Sequence, residues 1–192
     1  MEPFLKTSPK LTVVLALFGW AAHAHAAEYE IAKGSRVQFL AKITGGSFVA
    51  TCDQLKGKVS YDETASRIKA ADVSARVNAI DTGLSLRNDH MRNKYLQEER
   101  YPAIHFHIEN APIPAAPGTK GTVEGTFTIK DKTQHKSIEL TVERAKAPKH
   151  LSVHSVFPLN ILDYGIPQPT MAIVSMEPVI EVTVDLILQP EP

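Results

Sequence analysis

The sequence predicts an all-β protein, a sandwich or barrel of eight to ten antiparallel strands that carries one helix. Three observations predict it. Apolar and polar residues alternate with period two through most of the chain, as in half-buried strands. The runs are joined mostly by short connections rich in turn formers, at the spacing of a sandwich or barrel. Residues 80–102, IDTGLSLRNDHMRNKYLQEERYP, are the one stretch that reads clearly as helix.

The chain opens on a leader. Lys6 and Lys10 precede an apolar run of 12 residues, Leu11 to Ala22, and Ala24-His25-Ala26 follows as an A-x-A site. A basic segment, a short apolar segment and a small-residue site are the parts of a secretory signal, expected over 1–26, with cleavage after Ala24 as the alternative. A membrane span needs about 20 apolar residues. The remaining domain, 27–192, holds 166 residues. A chain of that size buries about 70% of its unfolded surface without staples. Cys52 is the single cysteine, so no internal disulfide forms, and it reads as a small core hydrophobe.

Charge excludes some classes of partner. The whole chain has 21 Lys+Arg and 21 Asp+Glu, and losing Glu2, Lys6 and Lys10 leaves 19 and 20, a net charge of −1. Bulk electrostatics give no case for nucleic acid or an anionic surface. No second long apolar run exists, so the mature chain is expected to have no transmembrane segment.

The strands follow in order. RVQFLAKI puts Val37, Phe39, Ala41 and Ile43 on one face, and Gly45-Gly46 supplies a hairpin turn into SFVATC. KGKVSYD points Val59 and Tyr61 inward, and IKAADVSARVNAI is one long strand with room for a bulge. After the helix, AIHFHIENA sets Ile104, Phe106 and Ile108 against His105, His107 and Glu109. APIPAAPG reads as a loop outside any ladder. TVEGTFTIK and SIELTVERA form a hairpin around Asp131-Lys132-Thr133. LSVHSVFPLNIL and PVIEVTVDLIL are the last strands, separated by the irregular DYGIPQPTMAIVS. About eight strands close around packed side chains or one small ligand, and periodicity does not decide between them. The inward faces are rich in Phe, Val, Ile and Ala, so any contents must be apolar.

In the helix, Leu84, Met91 and Tyr95 fall on one stripe, Asp81 or Thr82 is placed to cap, and Arg87 and His90 are neighbours three apart. Lying over a barrel end, such a helix forms a plug or lip. Its bland role is to cap the core, with Arg87 and Arg92 solvated or paired.

Motifs of catalysis are absent: no G-x-S-x-G, H-E-x-x-H, C-x-x-C, Walker A or G-x-G-x-x-G occurs. No catalytic residue, metal ligand or cofactor is therefore assigned. His105 and His107 share a strand face and form at most half a metal site, which needs three or four ligands. His150 and His154 share a face that reads as solvent-facing.

The chain resembles the YceI-like family of bacterial secreted proteins. The likeness runs from about Glu28 to Leu188 through segments in the family's order: YEI, SRVQF, GSFVATCDQLKG, VSYD, NAIDTGLSLRNDHMRNKYL, ERYPAIHF, GTFTIKDKTQHKSIEL and NILDYGI. The helix segment is the most specific, with Asp81, Thr82, Arg87, His90, Arg92 and Leu96 followed by Tyr101-Pro102. Gly34, Ile43, Ala50, Cys52 and Tyr95-Leu96 depart from the family's usual residues.

The resemblance implies a lipocalin-like, extended antiparallel β-barrel with one helix packed against it, secreted to the periplasm. It implies binding, transport or storage of an isoprenoid, a quinone or a fatty-acid-like amphiphile. Candidate tail-lining residues are Phe39, Phe48, Phe106, Phe127 and Phe157, joined by Leu86 and Tyr95 from the helix. Candidate head-group contacts are Arg87, His90 and Arg92. A filled barrel serving as a scaffold, docking through its helix and open to forming a homodimer, is the alternative reading. A metal-dependent enzyme built on His105 and His107 ranks last.

Overall fold

In the computed structural model the described residues are 26–108, 113–114 and 116–191, so the expected leader lies almost wholly outside them. The strands are β1 (Ala27–Ile31), β2 (Arg36–Ile43), β3 (Gly46–Cys52), β4 (Leu55–Asp62), β5 (Arg67–Arg76), β6 (Ala103–Ile108), β7 (Ile113–Pro114), β8 (Thr119–Ile129), β9 (Lys132–Arg144), β10 (Leu151–Asn160), β11 (Thr170–Met171), β12 (Val174–Ser175) and β13 (Val179–Pro190). Eight of them close an antiparallel barrel in the order β1-β4-β5-β6-β8-β9-β10-β13, with β13 pairing back onto β1. Closure satisfies the ladder at both edges of the sheet.

β13 is long enough to serve two partners. Its Glu181–Asp185 stretch pairs with β2 and its Leu188–Pro190 stretch with β1. Between them the buried Ser35 splices the ladder. Its Oγ accepts from the Ile187 amide at 2.8 Å and donates to the Ala32 carbonyl at 2.9 Å. The β2–β3 hairpin therefore extends the sheet beyond the closed barrel.

Turn chemistry shifts the hairpins by a residue from expectation. The β2–β3 turn is Thr44-Gly45, where Gly45 takes φ +82, and Gly46 already begins β3. The β8–β9 turn is Lys130-Asp131, with Lys130 at φ +58. A bulge inserts Lys69 opposite Ser60 and Tyr61, as the length of the β5 run allowed. Gly57 has a physical role of its own: a Cβ there would sit 2.0 Å from the Asp72 carbonyl oxygen on β5.

Two segments taken as loops contain ladders. Ile113 and Pro114 pair with Ile68 and Arg67, which corrects the expectation that APIPAAPG stays outside the sheet. A proline is tolerated there because β7 is a short edge strand. The irregular stretch after β10 holds the small β11–β12 hairpin. β1 is a strand that alternation alone had not identified.

Residues 80–102 form less helix than expected. A 3-10 turn, Val77–Ala79, leads to an extended step where Asp81 pairs with Thr51 of β3. Helix α1 (Ser85–Asp89) then continues into a π-helix, His90–Leu96, ended by Gln97 at φ +54. Met91 and Leu96, five apart, both face the barrel, as i→i+5 hydrogen bonding allows. Leu84 does not share their face and is 59% exposed.

Candidate functional site: an apolar cavity in the barrel

The barrel is hollow. Inward positions of nearly every long strand surround a cavity of about 240 Å³. Four of them, Ile180, Val182, Val184 and Leu186, come from β13 alone, spanning about 20 Å at ~3.3 Å per residue. Small residues create the space: Ala41, Ala50, Ala71 and Ala75 line it from β2, β3 and β5. From β6 onward the wall is aromatic: Phe106 and Phe127 meet with ring centroids 4.5 Å apart, and Phe127 lies 5.4 Å from Phe157. Gly125 makes that packing feasible, since a Cβ there would come within 2.5 Å of the Phe106 ring.

Among the described residues the wall holds three polar ones, Thr82, His105 and Ser155. The two hydroxyls are already committed. Ser155 Oγ donates to the Glu139 carbonyl at 2.6 Å, and Thr82 Oγ1 donates to Asn88 Oδ1 at 2.7 Å. Water inside would find few partners, whereas an apolar guest would gain burial at about 25 cal/mol per Å².

The two ends of the cavity differ. Toward the end of β13, Tyr29 and Tyr61 meet edge to face at 6.1 Å, and Tyr29 OH donates to Glu63 at 2.7 Å. Burial, reinforced by that acceptor, pushes the Tyr29 hydroxyl pKa well up. Leu188, Val142 and Leu151 complete this seal, and none of the five lines the cavity. Toward the start of β13 the wall is finished by non-strand segments. Ile80, Thr82, Met91 and Leu96 contribute from the helical side, and Ile161, Ile166 and Met176 from residues 161–176.

All five tail-lining candidates, Phe39, Phe48, Phe106, Phe127 and Phe157, sit on the cavity wall. The helix candidates do not. Leu86 is 60% exposed and His90 is exposed, while Tyr95 packs on the core without reaching the wall. The reason is helix phase: the π turn brings Met91 and Leu96 inward, while α1 leaves Leu86 in solvent. Met91 and Leu96 are the lining residues that sequence reasoning passed over in favour of Tyr95 and Leu86, and their spacing of five was the available signal.

Arg87 and Arg92 act on the backbone. Arg87 Nη2 donates to the Thr82 carbonyl at 2.6 Å, and its guanidinium lies 3.8 Å from the Phe48 ring centroid. Arg92 Nη2 donates to the Ile80 carbonyl at 2.8 Å. Each keeps a buried Nε without a hydrogen-bond partner. Neither Asp81 nor Thr82 is the helix N-cap, which is Leu84 without a side-chain bond. Asp81 instead accepts from Asn88 Nδ2 at 2.8 Å and from the Gly83 amide at 2.9 Å, which hold its carboxyl below the usual range.

On β6, His105 borders the cavity yet is largely exposed, and His107 Nδ1 lies 3.6 Å from Asp72. Among the described residues no group of three or more His, Cys, Asp or Glu gathers in metal-binding geometry. Cys52 is buried, and desolvation raises its pKa, which suits a packing role. Among the described residues no helix is long and apolar enough to cross a membrane.

A YceI-like domain model matches residues 29–188. The chain belongs to the YceI-like family. Solved structures share the fold. BcnA of Burkholderia cenocepacia is 21% identical, with a TM-score of 0.66 over 80% of this chain and 95% of that one. A polyisoprenoid binding domain from Saccharophagus degradans, implicated in plant cell wall breakdown, is 17% identical, with a TM-score of 0.67 over 86% and 99%. The YCEI protein of Campylobacter jejuni is 15% identical, with a TM-score of 0.62 over 74% and 84%. No curated protein matches the chain. The family and these neighbours bear out the lipocalin-like barrel with a helix packed against it.

Proposed function

We propose that this YceI-like protein is a periplasmic carrier or store for a long-chain isoprenoid-like or other amphiphilic lipid, binding it without chemical conversion. The observation that carries the reading is the cavity wall, which is elongated, almost wholly apolar and short of free hydrogen-bonding groups. The polyisoprenoid binding of a structural neighbour supports the same class of guest. The leader expected over residues 1–26 supports export. The filled-barrel alternative expects no such cavity, and its docking role would leave the apolar wall without purpose.

Native mass spectrometry of protein purified from its own host, with solvent extraction of whatever is bound, tests the reading. A discrete extra mass released as a lipid or quinone is expected. A bare protein mass that stays unchanged after exposure to isoprenoids, quinones and fatty acids would overturn it.

A further inference from the structure

The exposed apolar residues are unevenly distributed. Of the nine large hydrophobic residues exposed among the described residues, six belong to the two segments that finish one end of the cavity. Leu84 and Leu86 lie at the start of the helix, and Leu162, Met171, Ile173 and Val174 fall within residues 161–176. The extreme case is the β11–β12 hairpin, where Ile173 is 90% exposed and Met171 58%.

This hairpin is a held feature. Its two-residue tip is Ala172-Ile173, with Ala172 forced to φ +53, a conformation that an alanine adopts only at a cost. Its base is clamped on two sides. Gln168 Nε2 donates to Ser175 Oγ and to the Met176 carbonyl, both at 2.9 Å. The Thr44 amide, in the β2–β3 turn, donates to the Ser175 carbonyl at 2.9 Å, and Thr44 Oγ1 accepts from the Ser175 amide at 3.1 Å. The next residue, Met176, lines the cavity.

From Ile166 to Met176 no residue is charged, in a chain that is 22% charged. Charged residues of both signs border the base of the finger, Glu177 among them. The Lys42 carbonyl accepts from the Glu177 amide at 2.8 Å, placing Lys42 beside the base, and Lys130 Nζ reaches the Gly165 carbonyl at 3.5 Å. An uncharged apolar tip above a charged base, where Lys42 and Lys130 stand with Glu177, matches the interface of a bilayer, with acyl chains below and head groups around.

We propose that the Met171–Val174 tip docks on a phospholipid bilayer and sets the end of the barrel finished by the helical side and residues 161–176 against it, so that an apolar guest passes between membrane and cavity without crossing water. The proposal rests on the lipid-carrying reading above, and its test separates the two. The tip touches no wall of the cavity, so Met171→Ser/Ile173→Asp leaves the binding chamber intact.

Vesicles of phosphatidylcholine, with and without phosphatidylglycerol, are floated with the full mature chain, and a fluorescent polyprenol is offered either in the vesicles or from detergent. Wild type is expected to float with both vesicle types, more strongly with phosphatidylglycerol, and to take up polyprenol by either route. The double variant is expected to bind vesicles at least tenfold more weakly and to load normally from detergent. If wild type loads from detergent but never floats, or the variant floats as well as wild type, docking is overturned while the carrier reading stands. If neither protein loads by either route, the carrier reading fails first. A variant that turns a dimer into a monomer, with no vesicle binding by wild type, would make the tip a contact between copies and overturn bilayer docking.

Discussion

The two ends of this barrel use the same kinds of residue for opposite ends. At the sealed end Tyr29, Tyr61, Val142, Leu151 and Leu188 fill the interior and are almost wholly buried. At the open end, the one finished by non-strand segments, Leu84, Leu86, Met171 and Ile173 stand in solvent, and alanines line the cavity between the two ends. Composition does not distinguish the ends. What differs is whether the inward volumes add up to the space between strands. Stability should therefore concentrate at the sealed end and capacity at the open one.

The largest effect that would test this division is Tyr29→Ala. It removes an aromatic packed against Tyr61 and the hydrogen bond to Glu63. A loss of about 3–5 kcal/mol is expected, in line with truncating a buried aromatic, and urea unfolding measures it. A loss below about 1 kcal/mol would mean that the seal is not where stability resides.

A matched pair sharpens the comparison. Val142→Phe adds volume where the barrel is full and should cost about 1–3 kcal/mol through overpacking. Ala75→Phe adds volume where the wall is open and should leave the melting temperature unchanged or raise it, while polyprenol loading falls at least tenfold. Equal destabilisation by both would show that the space beside Ala75 closes up in solution.

These substitutions also show what the sequence could convey. Period-two alternation identified the inward face of β2, β4 and β6 because face follows directly from strand geometry. The five phenylalanines on the cavity wall were legible for that reason. Hollowness was not, because it depends on volumes summed across strands distant in sequence. The nearest local sign was the recurrence of alanine at inward positions 41, 50, 71 and 75. The helix was harder still. Arg87 and Arg92 read as head-group contacts because a charged side chain beside an apolar stripe has two uses. Only the fold reveals that each reaches back to a backbone carbonyl. The family resemblance supplied the closed barrel, which alternation left undivided from a sandwich.

The smallest expected effect concerns what holds the open end together. There the anchor is an exposed carboxylate, Asp81, bonded to Asn88 and the Gly83 amide, which lower its pKa. A depressed folded-state pKa means that the ionised form is favoured by folding. The stabilisation is thus complete above the ordinary carboxylate value of about 3.9 and is lost as pH falls through the lowered one. Acid should loosen residues 81–88 by this route, and Asp81→Asn should remove that part of the pH dependence. Global unfolding cannot isolate it, because the buried Asp62 at the sealed end is also lowered, by the Ala65 amide and Lys69. Hydrogen exchange at the Gly83 and Asn88 amides can. Their protection should fall on acidification in wild type, start lower in Asp81→Asn and change less with pH there. Identical profiles in both proteins would mean that Arg87 and Arg92, not Asp81, pin the segment.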